Sequence, residues 1–508
     1  MSSQAASRAI AAAVVLLHAS LASATDAQGI DALMTTLHGR GQFDGSILVA
    51  RSGAILYRAG FGYADDSTRE PFQPTTVSAL ASVSKGFTAM AVMMLAERGI
   101  LDYDDPVSRF LPDLARYAPG VTVRHLLNHT SGIPDVGDLG IDHPGLTNAE
   151  VLATLARATP LTSPPATRYR YSNTGYVLLA TIVERLSGQR MADFLAQHVF
   201  QPLGMSSTFV RDAIATARAS FAFAYDAFGL PAGDTNGTVG DGDVYSTVDD
   251  LYKWDRALAG STLVRAGTLE AAFAPPVLPG SPSTYGFGWN ARVEHGERIL
   301  WHTGSTGGYR AYIERRPDEQ LLIAMLTNHG NTRRVDIANA IVHILRGEPF
   351  ELPGRSIARR LYDGIAAEGI DASMRLYDSL RAGSAREYDF SEPELNTLGY
   401  KLLGEDRVRE AVRVFERNAD AFPGSSNAFD SLGDAYAQAG ERERAMASYA
   451  RATALDAANS HAADALVRLR RRSRLVSLAR WGGLVLALGI LACLAVRLRW
   501  RAYGRATN

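Results

Sequence analysis

Ser82-Val83-Ser84-Lys85 opens an apolar run that continues through Phe87, Met90, Ala91 and Met94 to Arg98 and stops at Gly99. The spacing predicts a helix over 82–98 with a glycine terminator. Residues three apart share a helix face, so the Ser82 hydroxyl and the Lys85 amine come within reach of each other. Near a helix N-terminus, free backbone N–H groups favour negative charge developing on that serine. Lysine occurs only at positions 85, 253 and 401, although lysine and arginine together number 52. Arginine serves on surfaces but cannot give up its proton. The lysine beside Ser82 can act as a base, or stay charged and favour a neighbouring phenol in that role.

Outward from this run, Ser46–Ala50 and Ile55–Tyr57 are short apolar segments separated by Arg51-Ser52-Gly53, the pattern of a β-hairpin. Helical segments follow through Gln201. Strand-like runs return at Tyr285–Trp289, Ile299–Trp301, Tyr309–Glu314 and Leu321–Leu326, and a last helix spans Arg334–Leu345. Strands at both ends with helices between predict an α+β domain, whose terminal segments pair in one antiparallel sheet beside an all-helical subdomain.

Beyond Pro353 the chain turns to charged, alanine-rich helices. A 34-residue period relates Leu398-Gly399 to Leu432-Gly433, Ala411 to Ala445, and Phe415 to Tyr449. This matches the tetratricopeptide signature. We expect a helical linker over 349–395, helical repeats over 396–465, and helices from about Ser356 to Leu380 completing the stack. Such a stack offers a concave surface to a protein partner.

The chain has 508 residues, enough for two or three folded units. Its 52 basic and 53 acidic residues give no global field for nucleic acid. Arg8, the apolar stretch Ala9–Leu21 and Ala22-Ser23-Ala24 read as an export signal over 1–24. Cys493 is the only cysteine, so no internal disulfide is expected. Near the end, Trp481–Val496 is apolar and Arg-flanked, and a segment over 475–497 is expected to tether the protein to a membrane. Arginines are denser before it than after it, against the positive-inside rule for an exported domain, so an interfacial helix is the alternative. A bacterial periplasm or cell surface fits these features.

Two further tripeptides complete a pattern. Tyr171-Ser172-Asn173 begins another helical run, and His302-Thr303-Gly304 follows a strand-like segment. With Ser82-x-x-Lys85, in this order and spacing, the chain resembles the serine β-lactamase-related family of class C β-lactamases, D-Ala-D-Ala carboxypeptidases, D-aminopeptidases and related esterases. The resemblance runs from about Gly41 to Arg346. It includes Leu126-Leu-Asn-His-Thr-Ser-Gly132, Pro202-Leu-Gly-Met205 and Tyr285-Gly-Phe-Gly288. It implies a β-lactamase/transpeptidase-like hydrolase domain over 30–348, with Ser82 as the acylated nucleophile. Lys85 and Tyr171 would shuttle the proton, and Asn173 would bind substrate and Lys85. His302, Thr303 and Gly304 would contribute to substrate binding, and the backbone N–H groups of Ser82 and Ser305 would form the oxyanion hole.

One departure matters. The family's third motif usually opens with lysine, and here it opens with His302, mostly neutral near pH 7. Capture of a substrate carboxylate is therefore expected to be weak and pH-dependent. Hydrolysis of an amide, peptide or ester through an acyl-enzyme is expected, with weak β-lactam turnover and no cofactor. The alternative is an inactive penicillin-binding-like scaffold that holds partners through its repeats.

Other motifs read as structural. His125 and His129 sit four apart, as zinc ligands can, but lack the adjacent glutamate. No metal site is assigned. The stretch Asp234–Asp243 is expected to be a turn-rich loop lining the cleft rather than a calcium loop. Lys253 is expected at the surface, and Glu314-Arg315-Arg316 at a solvated strand edge and turn.

Overall fold

The computed structural model describes residues 24–470 except 116–119, 158–159, 212–220, 234–236, 279–282, 458 and 460, together with 493–494. The export segment and the C-terminal apolar segment fall almost wholly outside them. Among the described residues no helix is long and apolar enough to cross a membrane. The chain divides into two compact units, one through Pro353 and one from Gly354 onward.

The first unit opens with helix α1 (residues 24–39). Strands β1 (Gly45–Arg51) and β2 (Ala54–Phe61) follow, joined through Ser52 and Gly53 at φ 51° and 78°. Two successive left-handed residues make the turn whose twist suits a tight hairpin. Four strands close the unit: β3 (Asn290–Glu294), β4 (Glu297–Thr306), β5 (Tyr309–Arg316) and β6 (Leu321–Thr327). The sheet order is β2-β1-β6-β5-β4-β3, antiparallel throughout. The two ends of the domain thus meet at β1 and β6, with Gly45 opposite Thr327 and Arg51 opposite Leu321, as the sequence pattern anticipates.

Alternation along β1 and β6 sends side chains to both faces, and both faces are buried. Leu48, Ala324 and Leu326 pack toward helix α2 (Lys85–Glu97) and the helical subdomain. That subdomain contains α3 (Val123–Leu127), α4 (Asn173–Ser187) and α5 (Val248–Leu258). On the other face Ile47, Val49, Ile323 and Met325 pack against α1 and helix α6 (Arg334–Arg346). A strand pair buried on both faces has no solvated side, which explains the uninterrupted apolar runs Ile47–Ala50 and Leu321–Leu326.

The expected solvated edge at Glu314-Arg315-Arg316 is corrected. All three side chains are buried, because β5 lies between β4 and β6. Glu314 accepts from the Tyr312 hydroxyl at 2.5 Å and from Arg316 at 2.7 Å, and Arg315 pairs with Asp255 at 2.5 Å. Charge alone suggested exposure, whereas local pairing made burial tolerable.

In the second unit, α7 (Ile357–Glu368) and α8 (Ile370–Gly383) precede α9 (Glu392–Gly404), α10 (Val408–Ala421), α11 (Ser426–Gln438) and α12 (Arg442–Leu455). Gly399 on α9 lies under Phe415 of α10, where a Cβ would sit 2.4 Å from the ring. Thirty-four residues later Gly433 on α11 lies under Tyr449 of α12, where a Cβ would sit 2.6 Å from that ring. The sequence period is therefore a packing period.

Candidate active site

Ser82 lies on a 3-10 turn, Ala81–Ser84, rather than in the first turn of a long helix, and α2 starts at Lys85. The turn begins from Ala81 at φ 46°, a left-handed conformation that a non-glycine residue holds only when its surroundings impose it. Those surroundings are visible. Ser78–Ala79 pairs with Val244–Ser246, the Leu80 N–H donates to the Val244 carbonyl at 2.9 Å, and the Val244 N–H donates to Ser84 Oγ at 3.0 Å. Strand β4 closes over the turn at Gly304, where a Cβ would meet the Leu80 carbonyl oxygen at 2.0 Å. Only glycine allows this approach, which brings Ser305 to the rim of the cleft.

Lys85 is fully buried and donates three hydrogen bonds: to Ser82 Oγ at 3.1 Å, Asn173 Oδ1 at 2.8 Å and the Asp241 carbonyl at 2.6 Å. These account for all three ammonium hydrogens. The same nitrogen lies 5.0 Å from the centroid of the Tyr171 ring. Ser82, Lys85, Tyr171 and Asn173, distant in sequence, are thus assembled in one place. Asn173 is the first residue of α4, which sets its side chain beside the lysine.

The Tyr171–Asn173 turn is held from two sides by groups the motif reading did not assign. Asp135 accepts from the Thr174 N–H at 3.1 Å, from Ser172 Oγ at 3.4 Å and from Asn173 Nδ2 at 3.5 Å. A carboxylate at the start of α4 complements the free N–H groups there. It also leaves the Asn173 amide oxygen turned toward Lys85. On the other side, the His129 ring lies 4.3 Å from that of Tyr171, and its Nδ1 accepts from the Ser172 N–H at 3.2 Å. Burial, followed by nearby Lys85, pushes His129 well below the usual histidine range, so it is neutral with its proton on Nε2. His125 acts elsewhere, since its Nδ1 accepts from the Thr122 N–H at 3.2 Å and completes a cap on α3.

His302 is buried behind Tyr171, with ring centroids 6.5 Å apart. Its Nδ1 lies 2.7 Å from the Thr303 carbonyl, an acceptor, so the proton sits on Nδ1. Nε2 then accepts from the Tyr285 hydroxyl at 2.8 Å. Burial, reinforced by Lys85, pulls its pKa down to about 3. The pH-dependent carboxylate capture expected of an ordinary histidine does not follow, since this ring stays neutral through the physiological range. Tyr285 is held well above the ordinary phenol range by burial, so it remains a donor.

The cleft at Ser82 has a volume of about 270 Å³, lined by Ala81, Ser82, Val136, Asp142, Leu146, Asn173, Thr238, Asp241, Gly242, Ser305 and Thr306. Of the third motif's three residues none reaches this lining, and the strand contributes through Ser305 and Thr306. Arg334, at the start of α6, donates to the Gly304 carbonyl, to the Ala311 carbonyl at 3.3 Å and to Ser305 Oγ at 3.1 Å. Its guanidinium therefore clamps the end of β4. Lys253 donates to Asp250 at 2.8 Å and to the Gly204 carbonyl at 2.6 Å, outside the site. Asp135 and Arg334 lacked any local sequence signal, whereas Asp241 stood in the loop expected to line the cleft, and Thr238, Asp241 and Gly242 of that loop do line it. His129 and Tyr285 stood inside phrases of the family resemblance and could have been found there.

The family model described as Beta-lactamase matches residues 30–346. The chain is 34% identical over 433 residues to penicillin-binding protein 4* of Bacillus subtilis (strain 168), covering 75% of this chain and 95% of that protein. It is 27% identical to a D-aminopeptidase of Gluconobacter oxydans, over 61% of this chain and 60% of that enzyme's length. Among solved structures, the octameric penicillin-binding protein homologue from Pyrococcus abyssi superposes with a TM-score of 0.57 at 29% identity, over 63% of this chain and 77% of that one. The match spans more than half of the chain and includes each motif assembled around Ser82. The chain belongs to the beta-lactamase family and is a serine hydrolase of that type.

Proposed function

We propose that the protein hydrolyses an amide, peptide or ester bond through an acyl-enzyme on Ser82. The observation that carries this is Lys85 Nζ, placed 3.1 Å from Ser82 Oγ and 2.8 Å from Asn173 Oδ1, with the Tyr171 ring 5.0 Å away. Ser82 Oγ attacks the substrate carbonyl carbon as Tyr171, held beside the lysine, takes the hydroxyl proton. The oxyanion faces the backbone N–H groups of Ser82 and Ser305. The same proton then passes to the departing nitrogen or oxygen, the carbonyl re-forms, and the acyl group stays on Ser82. Water, activated by the reverse transfer, releases the acid.

The neutral His302 supports weak turnover of carboxylate-bearing β-lactams. The assembled quartet supports an active hydrolase over a scaffold. Labelling with a fluorescent fluorophosphonate tests the reading: the wild type is expected to be labelled covalently and Ser82→Ala not. Equal labelling of both would sink it.

The export-like N-terminus supports a periplasmic or surface location, and the apolar 475–497 segment supports a membrane tether. The 34-residue packing period supports tetratricopeptide-like repeats that hold a protein partner. Fractionation of the full chain into soluble and membrane pools checks the tether.

A further inference from the structure

We propose that the first unit carries a second binding site, away from Ser82, for a small dianion: a phosphate monoester or a dicarboxylate. The site is a cavity of about 540 Å³ that shares no lining residue with the cleft. It lies between the C-terminal end of α5 and the strand pair β4–β5. Four arginines line it, Arg256, Arg298, Arg315 and Arg316, against two carboxylates, Asp255 and Glu270. Its wall is therefore positive, in a chain whose charges otherwise balance.

Pairing within the protein uses up the carboxylates and leaves donors over. Arg298 donates to Glu270 at 2.5 and 3.2 Å. Arg316 turns to Glu314 at 2.7 Å and Glu319 at 3.7 Å, neither of which lines the cavity. Arg315, 4% exposed, donates from Nε to Asp255 Oδ1 at 2.5 Å and from Nη2 to the Asp255 carbonyl at 3.3 Å. Its Nη1 has no partner among the described residues. Arg256 packs over the β1–β2 turn, where a Cβ on Gly53 would lie 3.5 Å from its Cζ, and it forms no hydrogen bond or ion pair with any described residue. A guanidinium more than nine-tenths buried is costly while its N–H groups go unanswered. Guanidinium forks match the paired oxygens of phosphate and carboxylate groups. A dianion answers Arg256 and Arg315 together, whereas a cation would find both lining carboxylates already claimed.

The test titrates the intact protein at low ionic strength with glycerol 3-phosphate and with succinate, read by isothermal calorimetry, with glycerol and succinamide as neutral controls. At least one dianion is expected to bind saturably with a Kd of about 1 mM or tighter, and the one that binds more tightly tells phosphate from carboxylate. Arg256→Gln, at an exposed position, is expected to weaken that binding at least tenfold. Arg334→Gln, which removes the cation bonded to Ser305 at the rim of the cleft, is expected to change it less than twofold. Saturable binding of neither dianion, equal binding of the neutral controls, or an affinity untouched by Arg256→Gln overturns the assignment. A loss as large with Arg334→Gln would place the anion at the cleft and overturns it too.

Discussion

At the scale of single residues, the site works by placing ionisable groups where water cannot answer for them. Asp243, two residues from Asp241, shows this. Its Oδ1 accepts from the Gly240 N–H at 2.7 Å, its Oδ2 is buried without a partner, and burial pushes its pKa up to about 7. The folded state then binds more protons than the unfolded chain between about pH 4 and 7, so this carboxyl's contribution to stability falls as pH rises through that window. Asp243→Asn is expected to stabilise the protein at pH 8 while changing little at pH 4, by up to about 1.4 kcal/mol per pH unit crossed. Thermal melts at the two values check the sign. Tyr171→Phe removes the proposed proton carrier and keeps the ring against His129. We expect kcat to fall by roughly 10²–10⁴-fold, the usual worth of a positioned acid–base group, with KM little changed. Steady-state kinetics on an ester substrate would show otherwise if the phenol were idle.

Elements decide how closely such groups approach. The end of β4 reaches Ser82 because Gly304 has no side chain and because Arg334 pins its carbonyl. The repeat region uses the same device twice, with Gly399 under Phe415 and Gly433 under Tyr449. Asp434, one period after Tyr400, accepts from the Tyr400 and Tyr449 hydroxyls at 2.8 and 2.6 Å. Gly433→Val would gain a few tenths of a kcal/mol in helix propensity. Overpacking against the Tyr449 ring costs about 1–3 kcal/mol and wins. A lowered midpoint for the helical unit in denaturant titration is the expected outcome, and an unchanged midpoint would show that the ring yields freely.

The whole molecule confines its proposed chemistry to one unit. Every group assembled around Ser82 lies before Pro353, with a core of its own on each face of the sheet. A chain of residues 24–353 is expected to fold and to be labelled at Ser82 as fully as the intact protein. A folded fragment that resists labelling, judged by circular dichroism beside the probe assay, would assign the second unit a part in forming the site. This separation also agrees with a family match that ends at residue 346.

Sequence alone determined the Ser82-x-x-Lys85 phrase, the order of the motifs, the pairing of the first unit's two ends and the 34-residue period. Each is written in local spacing, which side-chain periodicity and turn chemistry impose within a few residues. It could not show that burial would hold His302 neutral far below the ordinary histidine range, that Glu314-Arg315-Arg316 would be buried, or that Asp135 would orient Asn173. Ionisation and burial depend on neighbours from distant parts of the chain, and desolvation acts only once those neighbours have displaced water. Asp241 shows the division: the sequence puts it in a polar loop expected at the cleft, and only the fold sets its backbone carbonyl 2.6 Å from Lys85 Nζ.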